Sequence, residues 1–226
     1  FVVVRATDKL GASGVATMLG PLVEPMSAAN FSVDAVIQTS SELTGANDTD
    51  AMLNFVNSLS SELLGSGAAA ASVEDQQDLM EISLQTLEST ATILKPTSEY
   101  IHKIGQTVSG LVTSSDDYNV LDHEALDRAT GVLGATMDSF LSSNESASGI
   151  TEEAGSAMLQ SVFDVRKAQR KTPQATEDAG ALSSKIDDLV GQLAKAAGAD
   201  LQAGETLTLS IGGENGTGVE VAVHRR

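Results

Sequence analysis

The amino-acid sequence contains no cysteine and no tryptophan, and phenylalanine and tyrosine together number seven in 226 residues. Without cysteine the chain cannot form disulfides, thiolate zinc sites, iron–sulfur clusters or a thiol nucleophile. With so few aromatic rings, the core must be built from aliphatic side chains and methionine. This composition is typical of close helix packing and is unfavourable for a nucleotide or carbohydrate pocket.

Basic residues are also scarce, since thirteen Lys and Arg stand against thirty-one Asp and Glu, for a net charge of −18. A charge of that sign repels phosphate backbones and anionic lipid surfaces, so we expect no nucleic-acid partner. No stretch of 18 apolar residues occurs. The sequence therefore predicts contact with a membrane only through segments outside this chain.

Motifs for catalysis are missing as well, since the sequence has no Gly-x-Ser-x-Gly elbow and no His-Glu-x-x-His pair. Asp122 and Glu124, with Asp116 and Asp117 nearby, offer the oxygen ligands that Ca²⁺ prefers. Their spacing lacks the acidic repeat of a calcium loop, and a capped helix start explains Asp122 and Glu124 without metal. We predict no catalytic, metal or cofactor site and no enzyme; an enzyme with a pocket outside these motifs is a further alternative.

Residues 1–44 show no regular helical period. The apolar run from Phe1 to Val4 predicts a strand, and glycines and prolines then interrupt the chain. The stretch from Phe31 to Ile37 fits either a strand or a first helical turn. We expect this region to be irregular, with short strands.

After Gly45 the apolar period changes to 3.6 and predicts six amphipathic helices in succession. The expected first residues or caps of the last five helices are Ser72, Thr97, Asp122, Thr151 and Thr172, the last followed by Pro173. Each apolar stripe must be buried against the others, so the sequence predicts a helical bundle. The stripes are Met52, Phe55, Val56, Leu59 and Leu63; Met80, Leu84, Leu87, Ala91 and Leu94; Ile101, Ile104, Val108 and Leu111; Leu126, Ala129, Leu133, Met137 and Phe140; Ala154, Met158, Val162 and Val165; and Ala179, Leu182, Ile186, Leu189, Leu193 and Ala196.

Beyond Gly198 the period changes to two, which predicts a β-hairpin of residues 206–211 and 219–223. Its glycine-rich connection, 212–218, lacks the lysine and the following helix of a phosphate-binding loop. An isolated hairpin is marginally stable in water, so we expect it to begin a β subdomain whose further strands follow Arg226. We interpret the chain as a fragment of a longer protein.

Four of the seven asparagines lie in Asn-x-Ser/Thr sequons, all in segments predicted to be loops: Asn30, Asn47, Asn144 and Asn215. An exposed loop is what the attachment of a bulky, hydrated glycan requires. Ser/Thr-rich loops also produce such triplets by chance, and that explanation stays open. We predict four glycosylation sites on an extracellular glycoprotein.

The densest basic cluster consists of Arg166, Lys167, Arg170 and Lys171, in the last turn of the fifth predicted helix. Cations at this position complement the helix dipole, which is a sufficient structural reason for them. The alternative is a docking patch for an acidic partner.

Several segments resemble the region of receptor-like polycystins between the receptor-for-egg-jelly (REJ) module and the first transmembrane helix. In that family a helical subdomain precedes a β-rich one, and together they form the GAIN fold. The similarity covers residues 45–224. It is carried by the run 92–97 (Thr-Ile-Leu-Lys-Pro-Thr), the helix through 101–111, the stop at 114–116 (Ser-Ser-Asp), the helix 133–141 leading to 149–151 (Gly-Ile-Thr), and the helix-to-β passage at 204–209.

The resemblance implies three segments. Residues 1–44 are expected to end a preceding β-rich, REJ-like module and its linker, residues 45–198 to form a six-helix GAIN-type helical subdomain, and residues 199–226 to start the β subdomain. The expected fold class is therefore mainly α, flanked by short β pieces and ending in a hairpin.

The resemblance also implies a non-enzymatic piece of a ciliary or flagellar surface glycoprotein on the extracellular face of the plasma membrane. Such a protein tethers or senses extracellular material, with appendage or matrix glycoproteins and a polycystin-type cation channel subunit as partners. The self-cleavage tripeptide of the family, His-Leu-Thr or His-Leu-Ser, is absent because Arg225 follows His224. A self-assembling surface filament or appendage subunit is the alternative function, since low aromatic content, no cysteine and Ala/Ser/Thr-rich helices fit it too.

Overall fold

The computed structural model describes residues 2–7, 13–18, 33–62, 72–93, 97–114, 121–143, 146, 148–172, 176–203, 205–211 and 219–224. The chain divides into two compact units, Phe1–Phe31 and Ser32–Arg226.

The first unit contains an antiparallel hairpin of β1 (Val2–Thr7) and β2 (Ser13–Met18). Val2 lies opposite Met18, and Thr7 lies opposite Ser13. The strand predicted from the apolar run at the start of the chain is therefore present from Val2, and it is longer than the run itself.

The second unit is mainly helical, as predicted, and its helices are followed by a second two-stranded antiparallel sheet. In chain order its elements are α1 (Val33–Ala46), α2 (Thr49–Glu62), α3 (Val73–Ile93), α4 (Ser98–Ser114), α5 (His123–Leu141), α6 (Glu152–Gln169), α7 (Thr176–Ala197), β3 (Thr206–Ile211) and β4 (Val219–His224).

The six predicted helices are confirmed as α2 to α7. Their predicted apolar stripes are buried, apart from Phe55 and Ala179, which are partly exposed, while Leu63 and Leu94 lie outside the described residues. One core, drawn from all six helices and from Leu209 of β3, joins these stripes. Burial of the aliphatic faces therefore accounts for the helical unit, as the 3.6-residue period indicated.

The predicted number of helices is wrong, because α1 occupies a segment that the sequence assigned to irregular structure. Of the residues of α1, all of which the structure describes, Val36 alone is fully buried, and Ile37 is 49 % exposed. Part of the contact of α1 with α3 is polar, since the hydroxyls of Ser40 and Thr86 share a hydrogen bond of 2.7 Å. Because α1 is held by one buried side chain and a polar contact, its sequence shows almost no apolar period.

Most predicted caps are confirmed. Thr97, Asp122 and Thr151 each accept the backbone amide three residues later in their helix, at 3.3, 2.8 and 3.3 Å. Ser72 and Asp75 form a reciprocal capping box, with both amide-to-side-chain distances at 3.1 Å. These hydrogen bonds satisfy amides that the first turn of a helix leaves without partners.

The cap predicted at Thr172 is wrong. The helix begins at Thr176, and Thr172 is buried, with its hydroxyl donating to the carbonyl of Leu121 at 2.9 Å and to that of Ala168 at 3.1 Å. Thr172 therefore ends one helix and ties it to the start of α5, instead of starting the next.

Two glycines allow elements of the second unit to approach closely. A Cβ atom on Gly105 of α4 would lie 2.8 Å from the carbonyl carbon of Ala157 in α6. A Cβ atom on Gly155 of α6 would lie 2.6 Å from a methyl group of Leu209 in β3. Gly105 therefore allows the short distance between α4 and α6, and Gly155 allows Leu209 of the hairpin to pack against α6.

The predicted hairpin is confirmed as β3 and β4, with Thr206 opposite His224 and Leu209 opposite Val221. It belongs to the same compact unit as the helices. The boundary expected at 44/45 lies within α1, and the one expected at 198/199 follows the end of α7.

Candidate functional surface

The turn between α1 and α2 carries the one predicted glycosylation site that lies within the described residues. Asn47 is exposed and has a φ of +54°, a left-handed conformation that asparagine tolerates better than most residues. The backbone amide of Asn47 donates a hydrogen bond to the carbonyl of Thr44 at 3.1 Å. The next residue, Asp48, caps α2 by accepting the amide of Ala51 at 3.0 Å.

This geometry gives Asn47 and Asp48 structural roles of their own at the end of one helix and the start of the next. It also places the Asn47 side chain in a short exposed turn, where a glycan has room. The predicted sites Asn30, Asn144 and Asn215 lie outside the described residues.

A second surface feature is a cleft of about 180 Å³ between α3 and α5, lined in part by Arg128. The Arg128 guanidinium lies 3.6 to 3.7 Å from one carboxylate oxygen each of Glu81, Glu88 and Glu124. These carboxylates are exposed, so each pair contributes about 1 kcal/mol or less. Asp122, which the sequence analysis considered as a calcium ligand, lines the same cleft and caps α5.

No group of three or more potential metal ligands is present among the described residues. Asp116 and Asp117 lie outside them. The carboxylates near Arg128 are therefore explained by a cap and by ion pairs across α3 and α5.

Lys103 of α4 links two more helices at the surface. Its ammonium lies 3.1 Å from Asp50 of α2 and 3.2 Å from Glu99 of α4. Hydrogen bonds to the Asp50 and Glu99 carboxylates raise the pKa of Lys103 above its ordinary value. The open groove beside it measures about 450 Å³ and is lined mostly by polar side chains.

One carboxylate is buried between helices. Asp164 of α6 is 8 % exposed; it accepts a hydrogen bond from the Ser109 hydroxyl of α4 at 2.6 Å and two from the Gln160 amide at 3.0 Å. The sequence does not predict this group, because Asp164 interrupts an apolar face and its partner lies 55 residues away. The pair fastens α4 to α6.

The histidines do not join this pair. The Nδ1 atom of His102 lies 3.2 Å from the Glu153 carbonyl, and that of His224 lies 2.7 Å from the Thr206 hydroxyl. His123 is the first residue of α5. A nucleophile activated by an imidazole needs the two side chains within hydrogen-bond distance, and Thr206 with His224 meets that distance. Both residues are exposed and lie opposite each other on β3 and β4, so this contact is a cross-strand pair of the hairpin.

Comparisons with protein-family models, with curated proteins and with solved structures find no match to this chain. In the part of the chain that the structure describes, none of the helices has the length and apolar character needed to cross a bilayer.

Proposed function

We propose that the chain is a non-enzymatic structural module of an extracellular surface glycoprotein, and that its second unit carries load and presents glycosylated surface. The observation that carries this proposal is the Asn47 sequon, held exposed in a left-handed turn between two helices. The filled helical core, with clefts that are open and mostly polar in the described residues, supports a role that depends on surface and stiffness.

The proposal extends to the family that the sequence resembles. Helices followed by a hairpin that rests on α6 agree with a GAIN-type helical subdomain leading into a β subdomain. With the sequence resemblance, this agreement supports the proposal that the parent protein is a receptor-like polycystin of the ciliary or flagellar membrane. It would tether extracellular material and couple to a polycystin-type channel subunit, with membrane contact through segments outside this chain.

The test is site-resolved mass spectrometry of the Asn47 peptide after expression of the chain in the secretory pathway of a eukaryotic cell. We expect an N-linked glycan on Asn47 that glycosidase treatment removes. Asn47→Gln and Thr49→Ala should both abolish it, since each destroys the sequon.

Asn57→Gln is the matched control, because Asn57 is an exposed asparagine of α2 outside any sequon. It should leave the Asn47 glycan unchanged. A secreted, folded chain with Asn47 unmodified would overturn the proposal.

A self-assembling filament subunit is the second candidate. It is favoured by the C-terminal sheet, in which β4 pairs only with β3 among the described residues, so that one edge of each strand can accept a further strand. Sedimentation of the purified chain over a hundredfold range of concentration tests this candidate. Growing polymers would support it, and a constant monomer mass would exclude it.

A further inference from the structure

The end of α6 forms a basic patch on an otherwise acidic protein. Arg166, Lys167, Arg170 and Lys171 supply four of the thirteen basic residues within six positions of the sequence. Lys167, Arg170 and Lys171 are exposed, and the Arg166 side chain is 35 % exposed. These four residues make up the basic patch.

Helical geometry places two of the cations of the basic patch on one face. The Arg170 amide bonds to the Arg166 carbonyl at 3.3 Å and Arg170 keeps helical dihedral angles, so the helical turn continues past Gln169. Residues four apart lie on the same face, about 6 Å apart along the axis. Arg166 and Arg170 therefore form an adjacent pair of cations. Lys171 follows in a tighter turn, in which its backbone amide donates to the Ala168 carbonyl at 2.9 Å.

The patch is held in place by a buried hydrogen bond. Thr172, which directly follows it, is 8 % exposed and donates to the Leu121 carbonyl at 2.9 Å. This bond ties the end of α6 to the residue before the α5 cap. The cations therefore project from a fixed turn, which lowers the entropy lost when a ligand binds.

Among the described residues, helix α6 has an ion pair at this patch. Arg166 pairs with the exposed Asp187 at 3.0 Å, whereas Lys167 and Arg170 form no ion pair in the part of the chain that the structure describes. By contrast, Lys103, Arg128 and Lys185 are each held by at least one carboxylate. The helix dipole favours cations here, but it does not require four of them.

An open cleft of about 450 Å³ adjoins the patch, between the end of α6 and the first half of α7. Its lining combines Arg166 and Arg170 with the polar side chains of Gln169 and Ser183. Guanidinium groups bind sulfate and carboxylate groups with paired hydrogen bonds, and neighbouring hydroxyl and amide groups suit sugar hydroxyls.

We propose that the basic patch and this cleft bind a sulfated acidic polysaccharide. This inference rests on the proposed extracellular role, which makes such glycans the polyanions that the surface would meet. Clusters of Lys and Arg at this density are typical of nucleic-acid and heparin-type sites. The scarcity of aromatic side chains for base stacking favours the polysaccharide.

The experiment uses the full purified chain and immobilised heparin as the probe, at about 50 mM salt and then over a salt gradient. We expect retention at low salt and release as salt screens the contacts. Lys167→Gln/Arg170→Gln should weaken binding by at least about tenfold. Arg170→Lys, which keeps the charge, should retain most of it.

Lys185→Gln/Lys195→Gln is the control, since it removes the same total charge from two exposed lysines of α7. It should stay close to the wild type. Passage of the wild type through the column at low salt, or equal losses for the two double variants, would overturn the proposal. Competition by polyglutamate or phosphatidylserine vesicles as effective as that by free heparin would overturn the polysaccharide assignment.

The outcome is separable from that of the glycosylation test. Heparin retention is measured on purified chain from any expression host, whereas occupancy of Asn47 is read from the secreted chain. Failure of heparin binding with a glycan on Asn47 would remove this site and leave the proposed function in place.

Discussion

At the scale of single residues, Tyr100 of α4 is a buried phenol whose hydroxyl has no hydrogen-bond partner among the described residues. An unpaired buried hydroxyl costs about 1 to 3 kcal/mol of folding free energy. We predict that Tyr100→Phe keeps the free energy of unfolding or raises it by up to about 1 kcal/mol, measured by urea denaturation at pH 7. A loss of 2 kcal/mol or more would show that the hydroxyl has a partner.

The same residue predicts a pH dependence. Burial raises the pKa of Tyr100 above its ordinary value of 10.0. Because the folded state holds the proton more tightly than the unfolded state, the stabilisation is complete below pH 10 and is lost as pH rises above it, by up to about 1.4 kcal/mol per pH unit. The wild type should therefore lose more stability than Tyr100→Phe above pH 10, and parallel profiles would contradict this.

Individual residues also show where sequence patterns were sufficient. Asp122 and Thr151 were predicted as caps because a short polar side chain before an apolar period commonly accepts a hydrogen bond from a backbone amide of the first helical turn. Both side chains do so. Thr172 has the same local signature, but its hydroxyl bonds to Leu121, 51 residues away. Local sequence does not reveal such a tertiary competitor.

At the scale of elements, the contact between α4 and α6 depends on Gly105. A Cβ atom there would lie 2.8 to 2.9 Å from backbone atoms of Ala157 and Met158, which cannot move without separating the helices. We predict that Gly105→Ala lowers the free energy of unfolding by about 1 to 3 kcal/mol, measured by chemical denaturation.

Gly110 of the same helix provides the control. A Cβ atom on Gly110 would meet nothing within 4 Å. Gly110→Ala should stabilise the protein by about 0.5 to 1 kcal/mol through helix propensity alone. Equal effects of the two substitutions would refute the close approach of α4 and α6.

The hairpin of β3 and β4 depends on the helices through Leu209. This side chain is 1 % exposed and lies over Gly155 of α6. A free two-stranded hairpin is marginal in water, so Leu209→Ala should release it while the helices remain folded. Hydrogen exchange should show at least about tenfold faster exchange in β3 and β4, with α4 to α6 protected as before.

Thr208→Ala is the matched control, since Thr208 is exposed on the opposite face of the same strand. It should leave hairpin exchange within about twofold of the wild type. Undiminished protection of β3 and β4 in Leu209→Ala would mean that contacts other than the one with α6 hold the hairpin.

Elements differ in how well the sequence predicted them. The stripes of α2 to α7 and the alternation of β3 and β4 are repeated signals, so their type was predictable from periodicity. α1 has one fully buried side chain, Val36, and a polar contact from Ser40 to Thr86, neither of which produces a period. The roles of Gly105 and Gly155 depend on partners 52 and 54 residues away. A glycine within a helical pattern does not indicate which distant residue it will contact, so these roles could not be predicted from the sequence.

At the scale of the whole molecule, the second unit has one core, which six helices and the C-terminal hairpin share. We propose that this unit works through its surface and its resistance to load. The sequence predicted the exposed turn at Asn47 and the cations at the end of α6. It did not predict the buried Ser109–Asp164 bond or the ion pairs of Arg128 with Glu81 and Glu88, because each joins residues distant in the chain.

The most direct test of this claim is single-molecule extension of the full chain, held at Asp34→Cys and Ala222→Cys. The chain contains no cysteine, so these exposed positions are unique attachment points. We predict abrupt, cooperative unfolding with a total length gain of about 600 Å, as expected for roughly 190 residues released from a compact body. Smooth extension without abrupt steps, or a much smaller total gain, would contradict a load-bearing role.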